Sequence, residues 1–342
     1  MNIDVMFYNV QLIFPGYIDH ERAHKLRTFL IQSNCDVIGL CEVYQPTLRR
    51  ILLDDQLLEE TYPYRLQNVD GGGKRWLHSG LVLLSKLPIR SFKRVEYDAQ
   101  LPEAISFNLF TKRDLLFAEV ETQPTSVGIF LTHLQYGILP YQYRVRNEQI
   151  DEISTIVSKL WDINRPTIVM GDFNVMSQDK QYARLISQLF PLVDWWPIKH
   201  PGEPGYTYDS HNTRKIFLKD TRLDYIFSST DLLPQELELV HPNWSVRSLV
   251  WQPNEGFSLI TRFLIHLTII LRILDLPKAL LMEISRKFHG LPPRYSVDHD
   301  LSDHYPLRGL IAVKEPAPRP FVSDRLQISQ YYQTILQHYR LS

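Results

Sequence analysis

Eight residues stand where they could act together: Asn9, Glu42, His133, Asp172, Asn174, Asp224, Asp303 and His304. Asn9 follows the strand-like run at 3–8, and Glu42 follows Val37-Ile38-Gly39-Leu40-Cys41. His133 closes Ile129-Phe130-Leu131-Thr132, while Asp172 and Asn174 stand two apart after Thr167-Ile168-Val169-Met170-Gly171. Asp224 interrupts the apolar run at 223–227, and Asp303 and His304 adjoin just ahead of a last apolar run at 305–313. A carboxylate leaving a buried strand needs a cation or a hydrogen-bond partner. Layered α/β proteins gather such groups at the C-terminal ends of their strands. Taken singly, each has a structural explanation: Gly171-Asp172-Phe173-Asn174 could be a turn, and a lone histidine is more often a satisfied structural residue than a catalyst. Together they form the set that metal-assisted hydrolysis of a phosphodiester requires: hard oxygen ligands, donors for phosphate oxygens, and a base to deprotonate water. Mg²⁺ keeps several waters and takes one or two protein carboxylates, which suits Glu42 supported by the Asn9 carbonyl; Mn²⁺ is the alternative ion. His304 beside an acid suits a general base. Gly171 leaves a backbone position open to close approach by substrate or by a neighbouring chain.

Positioning these residues calls for a scaffold that joins distant segments. Runs at 3–8, 36–41, 80–84, 115–120, 127–131, 167–170, 223–227 and 305–313 read as strands, and 21–33 and 141–160 as helices. Thr125-Ser126 is expected as a hairpin turn between two of the strands. A β-α-β start followed by strands of both spacings predicts an α/β fold.

Composition narrows the classes. The chain has 342 residues with a formal net charge of −1, 44% hydrophobic and 22% charged. That excludes intrinsic disorder and argues against wholesale neutralisation of nucleic-acid phosphates. Cys35 and Cys41 are too few for a disulfide framework or a four-cysteine metal site, and read as reduced core residues. No cleavable signal peptide is visible and no run reaches 18 apolar residues, so a cytoplasmic or peripheral-membrane location is expected, with export that uses no cleaved signal as the alternative. Residues 241–295 differ from the rest, with seven Lys and Arg against three acids. Within them 257–274 reads as an amphipathic helix with Ser258, Thr261, Arg262, His266, Thr268 and Arg272 on one half. Such a helix either packs on the domain or lies in a lipid interface, to which Trp244, Trp251 and Phe257 are also suited. Asp70-Gly71-Gly72-Gly73-Lys74-Arg75-Trp76 reads as a hairpin tip, and 314–342 as a Pro-rich linker and a terminal helix without chemistry.

Seven segments, in order, resemble motifs of the endonuclease/exonuclease/phosphatase superfamily. They are Tyr8-Asn9-Val10, Gly39-Leu40-Cys41-Glu42-Val43, Ser79-Gly80-Leu81-Val82-Leu83-Leu84-Ser85, Thr132-His133-Leu134-Gln135, Gly171-Asp172-Phe173-Asn174, Leu223-Asp224-Tyr225-Ile226-Phe227 and Ser302-Asp303-His304-Tyr305-Pro306. The resemblance implies a four-layer α/β sandwich, two mixed β-sheets face to face with helices outside. It implies a catalytic domain over 1–313; residues 241–295, between Asp224 and the Asp303-His304 pair, depart from the sphingomyelinase pattern as an insertion longer than a connecting hairpin. It further implies Glu42 as metal ligand with Asn9 near it, and Asp172 and Asn174 positioning the water or leaving group and the phosphoryl oxygens. His133 would stabilise developing charge, Asp303 would orient His304 as general base, and Asp224 would support the histidine pair. Thr132-His133-Leu134-Gln135, Arg146, Gln149 and Lys112-Arg113-Asp114-Leu115-Leu116 resemble the neutral sphingomyelinase branch most. Leu223-Asp224-Tyr225 departs from the Cys-Asp-Arg of inositol-polyphosphate 5-phosphatases. The expected activity is thus a Mg²⁺-dependent phosphodiesterase of phospholipase C type acting at a phospholipid or sphingolipid membrane surface. A nuclease acting on nucleic acid, and an inactive scaffold or lipid-binding protein, are the alternatives.

Overall fold

Apolar runs and helices alternate along the chain because the central strands are buried on both faces and the helices pack one face against them. The computed structural model describes residues 1–13, 17–67, 79–101, 112–162, 165–212, 219–242, 245–250 and 295–313, with side chains excepted at 17–18, 233, 245–250 and 295–299. In chain order the first elements are β1 (Asn2–Leu12), α1 (Tyr17–Ser33), β2 (Val37–Val43), α2 (Pro46–Leu53), α3 (Gln56–Thr61), β3 (Tyr64–Gln67) and β4 (Val82–Ser85). Then come β5 (Ile89–Glu96), β6 (Asp114–Val120), β7 (Val127–His133), α4 (Pro140–Leu160), β8 (Thr167–Asp172), α5 (Lys180–Leu189), β9 (Val193–Asp194) and α6 (Trp196–Lys199). The last are β10 (Asp224–Ser228), β11 (Leu232–Leu239), β12 (Ser245–Val250), β13 (Tyr295–Asp300) and β14 (Leu307–Val313).

Two six-stranded sheets result, ordered β11-β14-β1-β2-β4-β3 and β5-β6-β7-β8-β10-β9. Both are mixed: β1 and β2 run parallel across α1, as do β7 and β8 across α4, while their other neighbours are antiparallel. Inward side chains of the two sheets form one core, with Ile3, Val5, Phe7, Val37 and Leu83 meeting Ala118, Ile129, Leu131, Ile168, Met170 and Ile226. Gly39 lets the sheets approach, since a Cβ there would lie 2.7 Å from Leu131 Cδ1. Outside the second sheet, α4 and α5 lay Ile150, Ile153, Val157, Leu185 and Ile186 over Phe117, Phe130, Phe173, Tyr225 and Phe227. On the first sheet, Phe29 of α1 meets the Tyr8 ring edge-on at 5.9 Å. This is the expected sandwich with helices outside. Asp55 and Asp179 cap α3 and α5 by accepting from backbone N–H groups of Leu58 and Gln181.

Several details differ from expectation. β2 extends to Val43, so Glu42 lies within the strand. The β6–β7 pairing ends at Val120↔Val127, so their connection spans 121–126 and is no two-residue turn. Helices α2, α3, α5 and α6 and strands β3, β5, β9, β11, β12 and β13 go beyond the elements read from the sequence. The amphipathic segment 257–274, the tip at 70–76 and the tail at 314–342 lie outside the described residues. Among the described residues no helix is long and apolar enough to cross a membrane. Both large sheets belong to one compact unit, and a second, Val246–His299, contains most of the two-stranded β12–β13 sheet.

Candidate active site

Strand register builds the centre of the site. His133 pairs with Asp172 across β7 and β8, and Asp172 pairs with Asp224 across β8 and β10. Directly opposed residues point to the same face of a sheet, so an imidazole and two carboxylates stand abreast. Gly171 permits this: a Cβ there would lie 2.2 Å from the Thr132 carbonyl oxygen, so the close approach is made by the neighbouring strand. The opposite sheet contributes Asn9, whose Nδ2 donates to Asp172 Oδ2 at 3.0 Å. Register also sets Asn9 beside Cys41, one residue before Glu42.

Around Asp172 the remaining groups close in. Its Oδ1 accepts from the Asn174 backbone N–H at 2.8 Å, and Asn174 Nδ2 donates to the Leu134 carbonyl at 3.1 Å. His133 Nε2 lies 3.7 Å from Asp172 Oδ2 and 3.8 Å from Glu42 Oε1. His304 Nδ1 donates to Asp224 Oδ2 at 2.7 Å, while its Nε2 lies 3.9 Å from Asp172 Oδ2. Tyr208 braces the His304 ring edge-on, with ring centres 5.2 Å apart. All eight sequence-predicted residues thus belong to one neighbourhood, Asp303 at its edge through Gln11, whose Nε2 donates to Asp303 Oδ2 at 2.7 Å. The partner of the His304 ring is Asp224, and not the adjacent Asp303 expected to orient it. Chain neighbours emerge in different directions, whereas β10 carries Asp224 to the imidazole.

Backbone strain concentrates here. Of the four non-glycine residues at positive φ among the described residues, three are Gln11 (47°), Glu42 (61°) and Asn174 (52°). Such conformations cost on the order of 1–3 kcal/mol each and persist where the surroundings enforce them. They turn side chains at strand ends that a regular pleat would aim elsewhere.

The electrostatics are those of crowded carboxylates. Burial, then the charges of Asp303 and Asp172, pushes Glu42 up to about 7. Burial, then Asp224, pushes Asp172 up to about 6. Burial holds His133 well below the usual imidazole range, and the positive charges of Arg113 and His304 add to the effect. Burial opposes the His304 imidazolium too, but Asp224, Asp303 and Asp172 outweigh it and raise the group well above its ordinary value. Asp224 Oδ1 is buried without a hydrogen-bond partner. Donor atoms of Asp172, Asp224 and His304 all lie within 4.8 Å of one another. Excess negative charge, an orphaned carboxylate oxygen and hard oxygen donors fit a divalent cation. Asp172 and Asp224 are almost wholly enclosed, whereas the Glu42 side chain is 17% exposed.

The sequence pattern of the Endonuclease/Exonuclease/phosphatase family matches residues 6–304. The chain belongs to that family. Family members are hydrolases acting on phosphodiester bonds. Sphingomyelinase C 2 from Leptospira interrogans is 25% identical over a 260-residue alignment that covers 67% of this chain; the chain spans only 40% of that relative's length. Solved structures share the family fold. Sphingomyelinase C from Streptomyces griseocarneus gives a TM-score of 0.61 at 18% identity, covering 91% of this chain and 99% of that one. A beta toxin variant from Staphylococcus aureus with bound magnesium ions gives 0.59 at 18% identity over the same shares. TDP2 from D. rerio, complexed with single-strand DNA product, gives 0.58 at 16% identity, again over 91% and 99%.

Around the family residues the structure adds supports that sequence reading missed. Buried Arg22 donates through Nη1 to the carbonyls of Val10 and Leu301, both at 2.7 Å, tying the end of β1 to the segment carrying Asp303 and His304. Ser302 Oγ donates to the Asn9 carbonyl at 2.5 Å in the same seam. Tyr44 Oη lies 3.4 Å from His133 Nδ1 and accepts from Arg113 Nη1 at 3.1 Å. Thr207 Oγ1 accepts from the Asp224 backbone N–H at 3.3 Å. Arg113 had a sequence signal as part of the Lys112–Leu116 run, and Ser302 as the first residue of the Ser302–Pro306 motif; Arg22, Tyr44 and Thr207 act across long separations that leave no local pattern.

Proposed function

We propose that the protein is a Mg²⁺-dependent phosphodiesterase that hydrolyses a membrane lipid phosphodiester in the manner of a phospholipase C, with sphingomyelin the leading candidate. The observation that carries this is the hydrogen-bonded His304–Asp224 pair facing Asp172, in one site with Glu42, Asn9 and His133. His304 has given Nδ1 to Asp224, so Nε2 is the atom that takes a proton from water as the oxygen attacks phosphorus in line. Glu42, with the Asn9 side-chain carbonyl near it, would hold the ion. When bound, the ion supplies a Lewis acid to the phosphoryl group and neutralises the carboxylates that keep His304 protonated. Asp172 and Asn174 position the water and the phosphoryl oxygens. His133, kept neutral, donates from Nε2 to the oxygen on which charge develops, as a neutral electrophilic imidazole can. The lipid assignment is supported by the sphingomyelinase relative.

A nuclease is the second reading, favoured by the likeness in fold to TDP2 holding a DNA product. One preparation decides between them. Sphingomyelin vesicles with Mg²⁺ should release phosphocholine, and Glu42→Ala or His304→Ala should abolish the release. No release from any phospholipid, with nicking of plasmid or abasic DNA that falls steeply with salt, selects the nuclease.

A further inference from the structure

β7 delivers His133 to the site, and the segment that follows it carries an apolar ridge. Tyr136, Ile138, Leu139 and Tyr141 are 48%, 63%, 47% and 37% exposed. The ten residues 134–143 contain no charged side chain, in a chain that is 22% charged.

This ridge is held rigidly. Buried Arg146 donates through Nη1 to the carbonyls of Gln135 at 2.8 Å and Gly137 at 2.9 Å. Gln149 Oε1 accepts from the Gln135 N–H at 2.8 Å, and Gln142 Oε1 accepts from the Leu139 N–H at 3.0 Å. Gly137 adopts φ +122°, and a Cβ there would lie 2.0 Å from Gln142 Oε1. Buried polar side chains, which folding uses sparingly, are thus committed to keeping apolar ones in water. The ridge is continuous with the site: the Leu134 N–H donates to the Asp172 carbonyl at 2.9 Å, and Asn174 Nδ2 donates to the Leu134 carbonyl. Burial, then the charges of Asp303, Glu42 and Asp172, raises the Tyr136 phenol above its ordinary range.

We infer that the ridge seats the protein on a zwitterionic bilayer, with Ile138 and Leu139 entering the acyl boundary and Tyr136 and Tyr141 at headgroup level, so that the site meets a lipid phosphodiester in place. This rests on reading the site as a lipid phosphodiesterase. Aliphatic side chains flanked by tyrosines match the boundary between hydrocarbon and headgroups. The missing charge fits a zwitterionic surface and does not fit a nucleic acid, which draws on Lys and Arg.

The test is co-sedimentation of the full chain with vesicles of phosphatidylcholine and sphingomyelin in EDTA, so that binding is read without hydrolysis. Ile138→Asp combined with Leu139→Asp should lower the partition coefficient about tenfold or more. Phe92→Asp, which replaces another exposed aromatic, on β5 (64% exposed), should leave it unchanged. Thermal melting checks the fold, and the paired Ile138→Ser and Leu139→Ser variant reads the same point should the aspartates destabilise the chain. An unchanged partition, an equal loss with Phe92→Asp, or a wild type that does not sediment with vesicles overturns the ridge. A wild type that binds through the ridge yet cleaves no phospholipid upholds the docking surface and rejects the catalytic reading, so the two failures are distinct.

Discussion

Replacing Asp224 by Asn tests which acid governs the imidazole of the site. His304 Nδ1 donates to Asp224 Oδ2 over 2.7 Å in a buried setting, while Asp303 Oδ2 accepts from Gln11 Nε2. Asn keeps the shape and removes the charge. A hydrogen bond to a charged group contributes about 1.5–3 kcal/mol, and each 1.4 kcal/mol is about tenfold, so kcat should fall about 10- to 150-fold. The sign of the pH effect also follows. Among the groups that raise the His304 pKa Asp224 comes first, so without its charge the group loses its proton at lower pH. The acid limb of kcat/KM against pH, measured on a phosphodiester at saturating Mg²⁺, should therefore move to lower pH. Asp303→Asn should move that limb less, because its carboxylate acts on the ring from farther away. A larger shift with Asp303→Asn than with Asp224→Asn, or wild-type kcat in Asp224→Asn, would refute the assignment.

Gly171→Ala should lower the melting temperature and activity together, because its Cβ would lie 2.2 Å from a backbone oxygen that cannot yield; overpacking of this kind costs about 1–3 kcal/mol. Gly309→Ala, where the nearest atom is 3.5 Å away, should melt like wild type. Burial pushes Asp114 up to about 6, so the folded state holds this proton more tightly than the unfolded chain. Its contribution to stability is greatest below pH of about 4 and declines as pH rises to about 6, by up to about 3 kcal/mol; melting profiles across that window should be flatter in Asp114→Asn. Burial also pushes the Cys35 thiol up to about 12 and Cys41 well above its ordinary value. Neither should react with an aromatic disulfide reagent at pH 8 in the folded protein, and both should in denaturant.

Much of the architecture was legible because the central strands are buried on both faces. Val37 to Cys41, Val127 to Leu131 and Thr167 to Met170 leave almost no solvent-facing position, so they read as mostly apolar runs, and polar residues that end such runs announce themselves. Edge strands carry no such signature: β5, exposed over most of its length, spells Ile-Arg-Ser-Phe-Lys-Arg-Val-Glu, and β11 contains Pro234. Helix α5 was legible and missed, since Asp179 offers a cap and Tyr182, Leu185, Ile186 and Leu189 form a helical stripe. The site lost detail where folding overrides the local pattern. Positive φ at Gln11 and Glu42 belongs to residue types that give no warning of it, whereas Asn174 is of the type that adopts it most readily. The Tyr44–His133 contact and the Arg22 clamp join residues far apart in the chain, and the sequence adjacency of Asp303 and His304 suggested a partnership that strand pairing gives to Asp224.

Asn9 and Glu42 come from one sheet, and His133, Asp172 and Asp224 from the other, with the Asn9–Asp172 hydrogen bond crossing between them. The reaction centre is therefore a calliper set across the sandwich, and it registers changes in separation that leave each sheet's own ladder intact. Mild denaturant, or a wedge such as Gly39→Ala between the layers, should silence turnover while backbone circular dichroism still reports a native fold.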